Sequence, residues 1–168
     1  MGSLAFRLYF WCLLPFLLCL GFTLCSCIPF HFFTNYAYRF NWSLVPIFYF
    51  AIYNPKCLSS WAVFLLGVFA ELLTASPFGV ITFCYVLLFF GANFFRKYLL
   101  ELTFWPLWGV FCLFLICLEG VAYLFVNLLT SQAISFSPIF MSFVVISFSY
   151  PFLMRLCAYV DEKIGESV

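Results

Sequence analysis

The segment Gly67-Val68-Phe69-Ala70-Glu71-Leu72-Leu73-Thr74-Ala75-Ser76-Pro77-Phe78-Gly79 sets one carboxylate inside an apolar run that closes on a Ser-Pro turn signal. Burying an ionised carboxylate in hydrocarbon costs several kcal/mol unless it is paired, hydrogen-bonded or neutralised. Glu71 is therefore expected to face protein or water, not lipid, and is the first functional candidate. Positions 67, 71 and 74 fall at i, i+4 and i+7, so Gly67 and Thr74 share its helix face. The glycine offers close backbone approach beside the carboxyl, and the threonine can hydrogen-bond locally. Pro77 and Gly79 punctuate the turn into the next apolar block. The plainer role for Glu71 is a carboxyl bonded to a neighbouring helix, fixing packing and nothing else.

Composition agrees with a bilayer as the solvent. Of the 168 residues 67% are hydrophobic and only 8% are charged, and the mean hydropathy is +1.17. Seven Lys and Arg with six Asp and Glu could not clothe a soluble domain of this length. The chain reads as one integral membrane domain, an all-α polytopic bundle. A helix needs roughly 20 residues to cross about 30 Å of hydrocarbon. Charges and polar clusters cut the sequence into six apolar blocks: Leu8 to Phe30, Ser43 to Tyr53, Cys57 to Ala75, Phe78 to Phe95, Thr103 to Leu129 and Ile139 to Tyr159. The second is short and carries Pro46, so it is tilted, kinked or only just spanning. The fourth stops at the basic pair Arg96-Lys97, and the polar patch from Thr130 to Pro138 separates the last two. Six spans from a cytoplasmic N-terminus put Arg7, Lys56, Arg96, Lys97, Arg155 and Lys163 inside and Arg39 alone outside. A five-span arrangement without the second block, started from outside, scores equally by moving Arg39 in and Arg7 out. The six-span reading, with both termini cytoplasmic, is the one adopted.

Glu119 lies near the middle of the fifth block, with Tyr123 and Asn127 at i+4 and i+8 forming a polar stripe expected to point inward. No basic residue lies at that depth, and structural hydrogen bonding is the favoured role for this stripe. Most of the nine cysteines sit within apolar runs, as Cys12, Cys19, Cys84, Cys112 and Cys117 do, and read as small reduced core residues. Cys25-Ser-Cys27 could oxidise at the outer end of the first span. With one histidine, His31, and no Cys-x-x-Cys, metal and thiol redox chemistry lack support, and no cofactor is expected. Nothing resembles an activated nucleophile with its base or a phosphate cradle, so no enzymatic role is expected. The 27 phenylalanines and five tryptophans are spread along the chain, as lipid contact and core packing require. The C-terminal Asp161 to Glu166 reads as a solubilising tail.

Arg39-Phe-Asn-Trp42, the hydrophobic block after it, and Gly-x-x-x-Glu-Leu-Leu-x-x-x-Pro-x-Gly at 67 to 79 together resemble the MreD family of bacterial rod shape-determining membrane proteins. That family commonly has an Asn- or Pro-rich lead-in to its second span, then Gly-x-x-x-Asp-Leu, a short turn and Leu-Gly. Here Glu71 stands for the usual Asp and Phe78 for the usual Leu. The resemblance implies a non-catalytic scaffold subunit of the cell-elongation machinery in the inner membrane, coupling peptidoglycan synthesis to rod shape. It implies MreC as partner, and through MreC the glycosyltransferase RodA, its penicillin-binding transpeptidase and MreB filaments. Membrane lipid surrounds it and no nucleic acid is expected. The rival is a small-molecule-binding subunit of an energy-coupling-factor transporter, whose six-helix fold the family is thought to share. Those subunits usually dock through Ala-x-x-x-Ala on their first helix, where this chain has Ala5 alone before Leu, Phe and Cys. They also line their pocket with more polar groups than this chain offers.

Overall fold

A computed structural model describes residues 2–26, 41–55, 58–74, 78–130 and 137–165, with side chains for 14–26, 41–55, 58–74, 78–128 and 139–163. Among these residues there are seven α-helices and no strand: α1 (Gly2–Ser26), α2 (Leu44–Tyr53), α3 (Ser60–Thr74), α4 (Val80–Phe94), α5 (Arg96–Glu101), α6 (Phe104–Thr130) and α7 (Ser137–Gly165). The all-α class read from composition is what is found. Each of the six apolar blocks overlaps one helix other than α5; α1 begins before its block, at Gly2, and α7 runs past its block at both ends, to Ser137 and Gly165. The stretch 31–40 with His31 and Arg39, together with Cys27, Lys56, Pro77 and the patch 131–136, lies outside the described residues.

The bundle is organised round α2. Every residue from Leu44 to Ile52 is buried, and a helix apolar on all sides belongs in a core. It packs on α1, α4, α5 and α7. At about 1.5 Å per residue its ten residues extend roughly 15 Å, half of a hydrocarbon layer of about 30 Å. The terminal backbone groups of a helix this short make up a large share of its hydrogen-bonding groups and need partners from elsewhere. At the carboxyl end the Arg96 Nε donates to the Ile52 carbonyl at 2.6 Å. The Asn54 backbone N–H bonds the Phe50 carbonyl at 3.0 Å. The Asn54 amide donates to the Asp161 carboxylate, to which the Tyr49 hydroxyl also donates at 3.4 Å.

This use of Arg96 explains an element the sequence did not suggest. The basic pair does not end the helical chain; after the single residue Phe95 it opens α5, whose Leu99 is buried. Turning Arg96 back onto the end of α2 breaks the continuity with α4 at that point.

α6 and α7 are the long helices. Within them Phe104–Leu128 and Ile139–Lys163, 25 residues each, are long and apolar enough to cross a membrane. The fully buried side of α6 is Leu107, Phe111, Leu115 and Leu118, at i, i+4, i+8 and i+11. Pro151 lies inside α7 and has no N–H to give the Ser147 carbonyl four residues back. The Trp108 indole of α6 supplies the missing donor, with Nε1 3.2 Å from that carbonyl. Cys112 Sγ and Ser147 Oγ meet beside it at 3.1 Å. A break in one helix is thus bridged by its neighbour.

Candidate functional site

Gly79 has φ +97° and precedes α4 as its N-cap. That left-handed conformation favours glycine, and glycine has no side chain to cap the helix it starts. The donors left open at the first turn need an acceptor from elsewhere. Glu71, on α3, supplies it. Its Oε2 accepts from the Gly79 N–H at 2.9 Å and its Oε1 from the Thr82 N–H at 2.8 Å. In a capping box these two bonds are shared between the N-cap and N3 side chains of one helix. Here a single carboxylate from the preceding helix makes both, at the end of α4 where the helix dipole favours negative charge. The side chain is only 3% exposed.

The same residue of α4 is held from a second point. A Cβ added to Gly67 would fall 2.6 Å from the Thr82 Cα and 3.1 Å from its Oγ1. Glycine is therefore what lets α3 come against α4 one helical turn before Glu71. Thr74 is half-buried, and its hydroxyl donates to the Ala70 carbonyl at 2.7 Å within α3. Of the five residues singled out in this segment, Gly67, Glu71 and Gly79 thus meet at one α3–α4 contact, and Thr74 bonds within α3. The fifth, Pro77, lies outside the described residues.

The other candidates lie apart from this clasp, along α6. Glu119 is half-buried, and its Oε1 accepts from the Ser142 hydroxyl of α7 at 2.9 Å. Tyr123 and Asn127 are half-buried in turn. The stripe flanks the buried leucine and phenylalanine side of α6 and does not form it. No group of three or more His, Cys, Asp or Glu suited to a metal occurs among the described residues.

Residues that were not singled out include Thr82, whose contribution is a backbone N–H and a Cα and which therefore has no signature of its own. They also include a second polar cluster at the start of α2. There the Tyr85 hydroxyl donates to Asn41 Oδ1, Thr23 Oγ1 and Ser43 Oγ meet at 2.9 Å, and the Trp42 N–H bonds Ser26 Oγ at 3.1 Å. Asn41 and Trp42 stood in the sequence as part of the Arg39-Phe-Asn-Trp stretch. That was the available signal for this cluster.

Both clusters do the same chemical work. They join helix ends through polar groups that bond one another and leave each bonded pair closed. A family model described as rod shape-determining protein MreD matches residues 6–160. No curated protein and no solved structure matches the chain. The matched span takes in the Glu71 clasp, the α2 cluster and nearly all of the helical bundle, and the chain belongs to the MreD family of rod shape-determining membrane proteins.

Proposed function

We propose that the chain is a non-catalytic scaffold subunit of the bacterial cell-elongation machinery, coupling peptidoglycan synthesis to rod shape through MreC. Through MreC it would act with RodA, the penicillin-binding transpeptidase and MreB filaments. The family match supports this reading, and so does the use to which the chain puts Glu71. Both of its carboxyl oxygens accept from backbone N–H groups of α4, so the most costly side chain in the segment fixes one helix against another. At 3% exposure the carboxyl is also closed to a substrate, unlike a catalytic or ligand-binding carboxylate that lines an open pocket.

The proposed topology is six crossings of the inner membrane with both termini cytoplasmic, the second crossing running through α2. It leaves six of the seven cations inside, in line with the charge bias of cytoplasmic loops. Gly67, Glu71, Pro77 and Gly79 would set the α3–α4 geometry, and that pair would present the surface a partner meets. Thr74, Glu119, Tyr123 and Asn127 would contribute packing.

The test is co-purification from gently solubilised native membranes, with an unrelated membrane protein as control and with a Glu71→Leu variant in parallel. Recovery of MreC and RodA with the unaltered protein, and their loss with the variant, is the expected result. Recovery of a membrane ATPase module instead would turn the reading toward a transporter subunit. A folded Glu71→Leu protein that still retains MreC would show that partner binding does not depend on the α3–α4 geometry that Glu71 sets.

A further inference from the structure

Most of the α6 surface has no neighbour in the bundle. The helix packs on α4 and α7, yet only 17% of its apolar stretch is buried, against 33% for that of α7. Opposite its buried side, six residues follow one another four and three apart in turn: Gly109, Leu113, Ile116, Gly120, Tyr123 and Asn127. That alternation puts them on one seam, the pattern of a helix that pairs with another along its length. Leu113 and Ile116 are exposed by 62% and 60%, and a Cβ added at Gly109 or Gly120 would meet nothing within 4 Å. In α3 and α4, by contrast, glycine admits a neighbour. A Cβ at Gly67 would fall 2.6 Å from the Thr82 Cα, and one at Gly91 2.7 Å from the Phe114 ring. Gly109 and Gly120 leave the same kind of slot with nothing in it. The Asn127 side-chain amide, half-buried on the same seam, bonds no described residue.

We propose that this seam pairs with its counterpart on a second copy of the chain, α6 against α6. Two copies inserted in one orientation are related by a twofold axis along the membrane normal, so each seam residue meets its own counterpart at its own depth. The seam suits that constraint. Glycine against glycine lets the backbones approach, which is how helices associate within membranes. Leucine and isoleucine pack on their like, and the asparagine amide carries both donors and an acceptor, so it complements its own copy. No ionised side chain lies on the seam, and pairing sets no like charges against each other. Glu119 lies to one side, toward α7, where it is bonded to Ser142. The exposed side of α7 carries Arg155 and offers no such neutral seam. Lipid gains nothing from two open glycines and an unbonded amide, whereas a facing helix fills the slots and takes up the amide. The contact leaves the α3–α4 pair open to a different partner.

The experiment uses the full-length protein in dioleoylphosphatidylcholine vesicles, with the photoreactive amino acid benzoylphenylalanine introduced singly at Leu113, Leu124, Leu87 or Phe148, all of them exposed. On irradiation a covalent dimer is expected from Leu113 and Leu124, its crosslink mapped by mass spectrometry to α6 of the second copy. None is expected from Leu87 on α4 or Phe148 on α7. Energy transfer between donor- and acceptor-labelled copies, followed as added lipid dilutes the protein, gives the dimer constant. Gly120→Leu places a side chain where the single chain has open space, so helical circular dichroism should not change while dimerisation weakens about tenfold or more. Asn127→Leu should weaken it about threefold. A protein that stays monomeric at every dilution would overturn the proposal. So would crosslinks from Leu113 that reach only lipid or a helix other than α6, or a dimer that Gly120→Leu leaves as strong as before.

Discussion

Glu71 tolerates an apolar setting because both of its oxygens accept from backbone N–H groups at the start of α4, which the helix itself cannot pair. Replacing Glu71 with leucine leaves the Thr82 N–H buried and unpaired and turns that of the exposed Gly79 over to solvent, so the variant should lose about 1–3 kcal/mol of stability, the cost of one orphaned buried group. Glu71→Asp withdraws the carboxyl by about 1.5 Å, one bond length, and should keep one bond and lose about half as much. Unfolding by titration with denaturing detergent, followed by circular dichroism, ranks the three proteins. Gly67→Ala should cost about 1–3 kcal/mol, because its methyl meets the Thr82 backbone at 2.6 Å and the two helices must part. Thr82→Val should be neutral or stabilising in the same assay: the Thr82 hydroxyl is buried with no hydrogen-bond partner, and its N–H, which meets Glu71, is unchanged by the substitution. The carboxylate, the glycines and the turn were legible in the sequence because each is a side-chain type out of place in a helix or in lipid. Thr82 was not, because it takes part through its backbone.

Element boundaries followed hydropathy where a helix meets lipid and failed where it meets protein. The limits of α3, α4 and α6 fall close to those of their apolar blocks, because lipid contact demands an unbroken apolar surface. α5 was invisible, since its basic start reads as an interfacial stop unless one knows that Arg96 turns back to the Ile52 carbonyl. Pro151 was likewise silent in the sequence, because its effect depends on a tryptophan in another helix. Trp108→Phe removes the donor to the Ser147 carbonyl and should cost about 1–2 kcal/mol. In a Pro151→Ala background the restored backbone N–H competes for that carbonyl, and the same substitution should cost less by at least about 0.5 kcal/mol. The double-mutant cycle, read by detergent unfolding, tests the bridge itself; an equal cost in both backgrounds would show that the indole acts by packing alone.

At the scale of the whole molecule, the bundle is closed by ties between residues far apart in sequence. Such ties are what hydropathy cannot show: the apolar pattern said that α2 was short and did not say that it was the core. With nine consecutive buried residues, α2 is held at its start by the Asn41, Ser43 and Tyr85 group and at its end by Arg96, Asn54 and Asp161. The tail read as solubilising thus begins inside the fold, with Asp161 bonded to Asn54 across 107 positions of sequence. Asn54→Ala and Asp161→Ala should each weaken the docking of α7 on the end of α2 by about 0.5–2 kcal/mol. Together they should cost less than their sum by about 1 kcal/mol, because either one already breaks the pair. Protease cleavage within α7 near its end, followed in native-like bilayers, should rise in all three variants while cleavage near Gly79 stays unchanged. Additive costs, or equal cleavage at both places, would mean that Asp161 lies on the fold without tying it.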